Sequence, residues 1–442
     1  MLSMNKISKQ ILLGLWLTGL LAVAGLWMAT YSFRFSGSQF SEVLIALGAL
    51  SGFTASYLLL TQLFLIGGGN FIESKFGLDD LSRAHGNNGK VAFFFIFAHI
   101  DLMVFGYLLQ GGSPVTKFFS QYLSLVFSET YYLLAGVAWV SFLIVIVTSI
   151  VMVRKRLPYE LWHGIHFLAY LSILLPAFHQ IQAGNALGRF AVFKFAWIGL
   201  YIIAFGSIVL FRYILPLTVY KKHNFRIDKI EKENGDISSI YITGDNLDSF
   251  NYAAGQFAIW HFFEKGLWWQ PHPFTISSTP GDKRLRITVK NIGNGSVRIQ
   301  SAKTGTKVLI QGPYGIFSKP NSIKKRLFIA GGIGITPINA MLQDRSSVED
   351  ILVYGARTEE DLVLLDELKN TNAKVLPVLS QPTGGRKGEY ISGDLLKKYV
   401  SDLKNREIWL CGPSDMVEKV KRALVEIGVS LELIHTEEFR LG

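Results

Sequence analysis

The sequence predicts a multi-domain membrane protein: a six-helix transmembrane bundle, then an antiparallel β-barrel domain, then an α/β domain on a parallel sheet. Half of the 442 residues are hydrophobic and only 17% are charged, and the apolar excess lies in the first half. Soluble proteins usually carry more charge. After residue 220 strand-like alternation begins, and from 321 strands alternate with helices. The predicted domains are therefore 1–215, 221–320 and 321–442.

Six apolar runs are each long enough to cross a bilayer, which takes about 20 residues. They are residues 11–30, 43–66, 85–109, 131–153, 160–183 and 190–213. The first is long for a cleaved signal and shows no small-residue cleavage site, so it is predicted to be a retained anchor.

Basic residues cluster at alternate ends of these runs, the pattern of loops that stay in the cytoplasm. The clusters lie at Lys6 and Lys9, within 75–90, at 154–156 and within 212–222. This predicts a multi-pass protein of the cell membrane, with its N-terminus and the whole second half in the cytoplasm. It also accounts for the net charge of +11 without a nucleic-acid partner. A single cysteine excludes an internal disulfide.

Two of the spans carry histidines, which are costly inside a membrane and usually functional. In span three, "HGNNGKVAFFFIFAH" begins with His85 and ends with His99, and span five holds His163, His166 and His179. Separations of 14 and 13 residues both correspond to about 20 Å along a helix axis. Because the two spans run in the same direction, His85 is predicted to face His166 at the inner level, and His99 to face His179 at the outer level.

Two histidines from neighbouring helices make an axial ligand pair for haem iron. Zinc is the competitor but prefers a four-ligand shell, and plain aromatic packing is the alternative without a metal. Bulky neighbours such as Phe97 and Phe167 favour a macrocycle. A spacing of 13 misses the same helix face by about 140°, so a change of winding at Pro176 is predicted to turn His179 inward. His163 stays open between an interfacial residue and a partner of haem propionates.

The second half shows two patterns of strands. "GDISSIYITG" and "KRLRITVKNIG" alternate polar and apolar residues, which predicts a small antiparallel barrel. "RLFIAGG", "DILVYGAR", "AKVLPVLS" and "REIWLCGP" are buried strands with helices between them, which predicts a parallel sheet. The loop "AGGIGITP" (330–337) follows a strand and opens a helix, so its amides can approach a phosphate. An ordinary glycine-rich turn is the alternative.

Five segments occur in order at sensible spacing: "HPFTISS" (272–278), "GPYG" (312–315), "GGIGITP" (331–337), "YGAR" (354–357) and "CGP" (411–413). Together they closely resemble the flavin-dependent ferredoxin-NADP-reductase-like module. The first half resembles the ferric-reductase-like transmembrane domain, with paired histidines on spans three and five. From about residue 40 to 442 the chain is therefore similar to the NADPH oxidase and ferric reductase family, of prokaryotic type.

The resemblance implies FAD, two b-type haems and NADPH, or NADH in its place, as cofactors. The haem ligands would be His85, His99, His166 and His179. Residues along the flavin and its pyrophosphate would be His272, Pro273, Phe274, Thr275, Ser277, Asn294, Gly295 and Ser296. Residues around the nicotinamide nucleotide would be Gly332, Gly334, Thr336, Pro337, Cys411, Gly412 and Pro413.

Three further implications concern specificity and catalysis. Arg357, Ser380, Arg386 and Lys387 are candidates for a 2′-phosphate and favour NADPH, with ordinary solvated charge as the alternative for the last two. Phe439 matches the family's C-terminal aromatic that shields the flavin, although three residues follow it here and a packing role is the alternative. Thr275, Cys411 and Phe439 are thus the predicted catalytic residues.

The implied activity is transmembrane electron transfer from cytoplasmic NADPH through FAD and two haems to an outer acceptor. Outer loops 31–42, 110–130 and 184–190 hold no metal-binding cluster, which favours dioxygen, giving superoxide, over a ferric chelate. Asp101 and Arg189 are expected to shape the acceptor site. A reductase that feeds a membrane partner, or a membrane sensor whose reductase module is degenerate, would also fit this pattern. No calcium-binding loop is found, and neither an obligatory protein partner nor regulation is expected.

Overall fold

The computed structural model describes residues 2–31, 39–67, 69–154, 156–183, 185–318, 324–384 and 387–439. The chain divides into two compact units, residues 1–212 and 213–442. Every regular element in the described part of the first unit is helical, and the second unit combines sheets and helices.

Helices of the first unit follow the apolar runs. They are α1 (Leu2–Tyr31), α2 (Phe40–Gly67), α3 (Gly69–Phe76), α4 (Leu78–Gln110), α5 (Phe118–Val126), α6 (Thr130–Ser149), α7 (Val151–Arg154), α8 (Tyr159–His166), α9 (Leu168–Leu174), α10 (Pro176–Ala183), α11 (Asn185–Arg189) and α12 (Ala191–Val209), with a π-helical turn at Leu210–Ile214. Within the described residues, six stretches are long and apolar enough to cross a membrane: Gln10–Tyr31, Phe40–Gly67, Asp80–Gln110, Thr130–Ser149, Glu160–Ala183 and Ala191–His223. The predicted six-span fold is confirmed.

Helix α2 lies at the centre of the bundle. It packs along α4 and also contacts α1 and α12. Its Ala46 and Leu60 are fully buried, as are Ala92 and Leu108 of α4. Large apolar side chains on the outside of the bundle stay exposed, as lipid-facing residues do. The histidine-bearing α4 is therefore held against the most buried helix of the unit.

The fifth span is wound irregularly. It consists of α8, α9 and α10, with one-residue breaks in the regular hydrogen bonding at Phe167 and Leu175, where the backbone dihedrals stay helical. Proline has no N–H to give to the preceding turn, and the break at Leu175 comes directly before Pro176. The predicted change of winding at Pro176 is present. The second break, at Phe167, was not predicted; there the Phe167 amide bonds the Gly164 carbonyl in a tighter turn at 3.3 Å.

The second unit begins with α13 (Leu215–His223) and two antiparallel sheets. Their strands are β1 (Arg226–Lys232), β2 (Ile237–Thr243), β3 (Phe257–Phe262), β4 (His272–Thr275), β5 (Leu285–Lys290) and β6 (Val308–Tyr314), with the short helix α14 (Asn294–Gln300) between β5 and β6. The strand orders are β1-β2-β5 and β4-β3-β6. Inward residues such as Trp260, Phe262 and Ile240 form one core between the sheets. This is the predicted antiparallel domain.

A five-stranded parallel sheet follows, with order β11-β10-β7-β8-β9. Its elements are β7 (Arg326–Gly331), α15 (Ile335–Asp344), β8 (Ile351–Ala356), α16 (Leu365–Lys369), β9 (Lys374–Leu379), α17 (Gly393–Tyr399), β10 (Glu407–Pro413), α18 (Ser414–Ile427) and β11 (Ile434–Phe439). Apolar clusters cover both faces, so the central strands are unbroken apolar runs. The predicted parallel-sheet domain is confirmed. Strand β11 was missed because its "IHTEEF" segment is mostly polar.

Candidate functional site

The inner histidine pair joins α4 to the fifth span. The ring centres of His85 and His166 lie 6.2 Å apart, with the ring planes tilted by 53°. Trp162, one turn before His166, has its ring centre 5.0 Å from the centre of that imidazole. Both histidines are half-buried. His163, left open by the sequence, packs edge-on against Phe167 at 4.9 Å and takes no part in this pair.

Amide side chains hold α2 to α4 beside the inner pair. Asn88 donates from Nδ2 to the Leu58 carbonyl at 2.8 Å and to Oε1 of Gln62 at 2.5 Å. Gln62 donates from Nε2 to the backbone carbonyl of His85 at 2.9 Å. The helix turn that carries His85 is therefore fixed by side-chain amides.

The outer histidine pair has almost the same separation. The ring centres of His99 and His179 lie 6.3 Å apart, with an angle of only 28° between the planes. Nδ1 of His99 lies 2.8 Å from the Gly48 carbonyl of α2. Because a carbonyl oxygen only accepts, Nδ1 carries the proton and Nε2 keeps its lone pair for a metal. Nδ1 of His179 is buried and has no hydrogen-bond partner among the described residues.

Two glycines of α2 allow this close approach, and the sequence analysis missed them. A Cβ on Gly52 would lie 2.7 Å from Nδ1 of His99, and one on Gly48 would lie 2.9 Å from the sulfur of Met103. Any side chain at these positions would push α4 away. The signal was available as a G-x-x-x-G pattern, which marks close helix packing in apolar segments.

A cavity of about 250 Å³ surrounds the outer pair. Besides His99 and His179, its lining is mainly apolar and aromatic and includes Trp139 and Phe142. Helix α5 contributes Tyr122, Leu125 and Val126 to the wall. The lining suits a flat apolar group better than a hydrated ion.

A buried polar network lies next to the outer pair. Gln180, 8% exposed, donates from Nε2 to Ser56 at 2.7 Å. Its Oε1 accepts from Trp197 Nε1 at 2.9 Å and from the Tyr201 hydroxyl at 3.1 Å. One amide thus ties three spans together beside His179. A glutamine inside an apolar run was the signal for it, since polar groups in membranes seek partners.

Both pairs fit the axial positions of a haem. An iron held about 2 Å from one nitrogen of each imidazole leaves the ring centres about 6 Å apart. The measured separations are 6.2 and 6.3 Å. Nδ1 of His166 is buried without a hydrogen-bond partner among the described residues. No group of three or more His, Cys, Asp or Glu suited to a metal occurs in the described residues, so neither level offers a tetrahedral zinc shell there.

The predicted flavin segment is a short strand. β4 pairs with β3, and Trp260 of β3 donates its indole N–H to the Phe274 carbonyl at 3.0 Å. Pro273 is exposed, Phe274 is half-buried and Thr275 is buried. The backbone is therefore fixed by β3 while one edge of the strand stays open.

His272 is the titratable group of this strand. Burial lowers the pKa of His272 to about 4, with the nearby His261 adding to the effect. Its Nε2 is buried and has no hydrogen-bond partner among the described residues, and its ring stacks at 10° on Phe274 with centres 6.2 Å apart. A Cβ on Gly295 would lie 3.1 Å from the His272 ring, so a glycine there lets helix α14 approach. His272 is a neutral ring at pH 7 with one unsatisfied nitrogen.

Three predicted site hydroxyls bond within the protein instead of pointing outward. Ser277 Oγ bonds the Arg286 carbonyl at 3.1 Å and Thr288 Oγ1 at 3.2 Å. Ser296 Oγ accepts from the Ile292 and Gly293 amides at 2.9 and 3.1 Å, at the start of α14. Thr336 Oγ1 donates to the Ile333 carbonyl at 3.1 Å. Any contact of these residues with a cofactor would therefore fall to their backbone. The neighbouring Asn294 is exposed at the first position of α14.

The glycine loop 331–334 lies between β7 and α15, as predicted. Gly332 has φ of +53°, and a Cβ there would meet nothing within 4 Å. This open space in front of a helix start suits a phosphate. Gly334 lies directly against the backbone of Cys411 and Gly412, so no side chain fits there. Pro337 is buried in the first turn of α15.

The segment 411–413 ends the central strand β10 beside this loop. Cys411 is fully buried, and burial raises the pKa of its thiol, with the charge of Glu437 adding to this. Pro413 is exposed at the strand end. The backbone of Phe439, the last residue of β11, lies opposite Pro413 of β10. The side chain of Phe439 lies outside the described part of the structure.

The candidates for 2′-phosphate recognition lie at two neighbouring strand ends. Arg357 follows β8 and is exposed, while Ser380 follows β9 and is half-buried. The Ser380 amide donates to the Ala356 carbonyl at 3.0 Å. Lys387 is exposed, and Arg386 lies outside the described residues. Arg357 and Ser380 are thus brought together at the carboxyl edge of the sheet, where such folds bind nucleotides.

Paired histidines in an apolar helix bundle, followed by an antiparallel and a parallel-sheet domain, define a membrane oxidoreductase. Three family models match in order: the ferric reductase like transmembrane component over residues 51–177, an FAD-binding domain over 222–318 and an oxidoreductase NAD-binding domain over 328–422. The chain therefore combines the domains of a ferric-reductase-like or NADPH-oxidase-type fusion protein.

Individual relatives match about half of the chain or less. The glycine betaine monooxygenase reductase subunit of Chromohalobacter salexigens is 27% identical over 238 residues, which cover 49% of this chain and 64% of that protein. NADH-cytochrome b5 reductase 1 of Candida albicans is 32% identical over 171 residues, or 35% of this chain and 58% of that one. The FAD/NAD-binding domain of a Vibrio cholerae nitric oxide dioxygenase is 17% identical, with a TM-score of 0.44 over 49% of this chain and 99% of that one.

Proposed function

We propose that this protein carries electrons across a cell membrane, from cytoplasmic NADPH through FAD and two bis-histidine haems to an acceptor on the outer side. Bound flavin supplies the change from hydride to single-electron chemistry, and bound haem supplies one-electron carriers. The chain provides the binding residues, their spacing and their polarity.

One observation carries the proposal. Two histidine pairs join the same two spans at two levels, each with ring centres about 6 Å apart. The two ligands on α4 are 14 residues apart in one unbroken helix, which is about 20 Å along its axis. That is a suitable stack for passing electrons through the apolar part of a bilayer.

The matched domains and the local geometry support the following proposed roles for residues of the second unit. His272, Pro273, Phe274 and Thr275 would line the flavin, with the neutral His272 ring offering a free nitrogen. Gly332 and Gly334 would admit the nucleotide phosphates, with Cys411 to Pro413 at the nicotinamide. Arg357 and Ser380 at adjacent strand ends support NADPH over NADH. Phe439 is proposed as the aromatic that shields the flavin.

Dioxygen, reduced to superoxide, is the proposed acceptor. The surroundings of the outer pair are mainly apolar and aromatic, and such surroundings at the outer haem would admit a small neutral molecule more readily than a charged iron chelate. With both His99 and His179 as ligands of the outer haem, the acceptor would take its electron without binding the iron. A ferric chelate is the second candidate, favoured by the match to ferric reductase like components.

The visible spectrum of the purified full-length protein tests the proposal. We expect two haems and one flavin per chain, and bleaching of flavin followed by reduction of both haems when NADPH is added without oxygen. Reoxidation by dioxygen with superoxide formation supports the oxidase. Reoxidation by a ferric chelate alone makes the protein a ferric reductase, and a spectrum without haem or an unreactive flavin contradicts the proposed function.

A further inference from the structure

The guanidinium of Arg286 lies between the two sheet systems of the second unit. Arg286 belongs to β5, and its side chain is 9% exposed. It donates from Nη1 to Oε1 of Glu367 at 2.5 Å and from Nη2 to Oε2 at 2.9 Å, a bidentate pair with helix α16. The same Nη2 donates to the Ser277 carbonyl at 2.9 Å. One side chain thus holds the end of the 272–278 segment and the parallel-sheet domain together.

Glu367 also links Arg286 to helix α15. Its Oε2 also accepts from Nδ2 of Asn339 at 3.0 Å, and Asn339 is fully buried. Helix α15 begins directly after the glycine loop 331–334. Three side chains therefore connect the predicted flavin segment to the helix that opens the predicted nucleotide site.

The charges in this connection are held in place. Burial acts to raise the pKa of Glu367, but hydrogen bonds and the charge of Arg286 hold it below its usual range. Burial likewise opposes the charge on Arg286, and the bonds to Glu367 outweigh it, so the guanidinium pKa is raised. Bidentate arginine–carboxylate pairs fix orientation as well as distance. Removing either partner would leave the other charge poorly compensated.

We propose that Arg286 is a positioning residue for hydride transfer, which sets the register between the flavin segment 272–278 and the glycine loop 331–334. The inference rests on the proposed function. In the step concerned, NAD(P)H loses a hydride and becomes NAD(P)⁺, while the flavin gains that hydride and one proton from solvent. Arg286 touches neither reactant in this role; it acts through Ser277, Glu367 and Asn339.

The test uses the purified full-length holoprotein and two variants, Arg286→Met and Glu367→Gln. Flavin bleaching is followed in anaerobic rapid mixing over a range of NADPH concentrations. We expect the limiting bleaching rate to fall by about 10- to 100-fold, since misplacement by about 1 Å has that effect. The half-saturating NADPH concentration should change by no more than about threefold, because the nucleotide contacts themselves remain. Arg286→Lys keeps the positive charge but cannot form the bidentate pair, so its limiting bleaching rate should lie between those of the wild type and Arg286→Met.

Asp350→Asn is the matched control. Asp350 is 2% exposed and pairs with Arg326, which is 7% exposed, inside the parallel-sheet domain. This variant should lose thermal stability while keeping the limiting rate. A normal rate in both Arg286→Met and Glu367→Gln, or an equal fall in the control, would overturn the inference. A wild-type flavin that neither NADPH nor NADH bleaches would instead overturn the proposed function, and the inference with it.

Discussion

The two histidine pairs of the bundle have the same spacing but different supports. At the inner level the ring planes are tilted by 53°, side-chain amides hold the α4 backbone, and Trp162 lies against His166. At the outer level the planes are within 28°, and a backbone carbonyl holds His99 directly. The same separation of ring centres is thus held by side-chain contacts at the inner level and by close backbone contact at the outer level.

This difference has consequences for how each level tolerates change. A carbonyl of a packed helix cannot be repositioned without moving the helix, whereas side-chain amides and indoles can adjust. The outer pair should therefore depend on the small residues of α2, and the inner pair on several replaceable polar and aromatic contacts. Substitutions at matched positions of the two levels test whether they differ in this way.

The largest effect is expected from the ligands themselves. His99→Ala or His179→Ala should remove one haem of two and lower NADPH-driven turnover by at least about 100-fold, because the carrier nearest the acceptor is lost. His85→Ala and His166→Ala should remove the other. Haem-to-protein ratios and turnover check this. Unchanged haem content and turnover in either set would rule out a ligand role for that pair.

The second largest effect is expected from Gly52→Ala. Its Cβ would lie 2.7 Å from Nδ1 of His99, and the fixed carbonyl of Gly48 leaves the ring no room. We expect a loss of about 1–3 kcal/mol of stability and a selective loss of the outer haem.

Gly86→Ala is the control for Gly52, because it lies in α4 one residue after His85 and a Cβ there would meet nothing within 4 Å. It should leave both haems in place and, as a helix-interior glycine, gain roughly 0.5–1 kcal/mol. Spectra and melting temperatures of the two variants give the comparison. Equal behaviour would mean that close backbone contact does not define the outer level.

Gln180→Leu should cost less than Gly52→Ala. It leaves Ser56, Trp197 and Tyr201 without their shared partner, and hydrogen bonds between membrane helices contribute about 1–2 kcal/mol. Asn88→Leu at the inner level should cost less, because Asn88 is only half-buried. Thermal unfolding in detergent measures both. A larger loss for Asn88→Leu would reverse the comparison.

The smallest effect is expected from aromatic neighbours. Trp162→Leu should shift the absorption or potential of the inner haem while both haems remain bound, since one aromatic contact is worth about 0.5–1.5 kcal/mol. Tyr132→Leu, whose ring lies 6.2 Å from His179, is the outer counterpart and should shift less. A redox titration of both variants measures the two shifts. Loss of a haem in either variant would show that the aromatic residue is required for haem binding.

Much of this arrangement could be predicted from residue spacing. Histidines 14 and 13 residues apart on parallel spans already imply two levels, and Pro176 implies the change of winding that turns His179 inward. Alternating and unbroken apolar patterns likewise predicted both sheet systems. These features depend on local periodicity, which the order of residues contains directly.

The rest depends on contacts between distant residues. The G-x-x-x-G pattern at Gly48 and Gly52 indicates close helix packing, but it does not indicate that His99 is the residue packed against Gly52. Nothing in "HPFTISS" indicates that Ser277 bonds Arg286 and Thr288 within the sheet. The break at Phe167 and the edge strand β11 depend on neighbouring elements as well. Close approach of helices and the direction of hydroxyl groups are set by packing, which a single sequence states only indirectly.

Cys411 has a practical consequence. It is the one sulfhydryl of the chain, and it is fully buried with a pKa raised by its surroundings. Thiol reagents, and oxidants that act on cysteine, attack the thiolate, so Cys411 should resist both in the folded protein. A cysteine introduced at any exposed position would then be the single reactive handle on the molecule. Fluorophores or spin labels could be attached there without first removing the native residue.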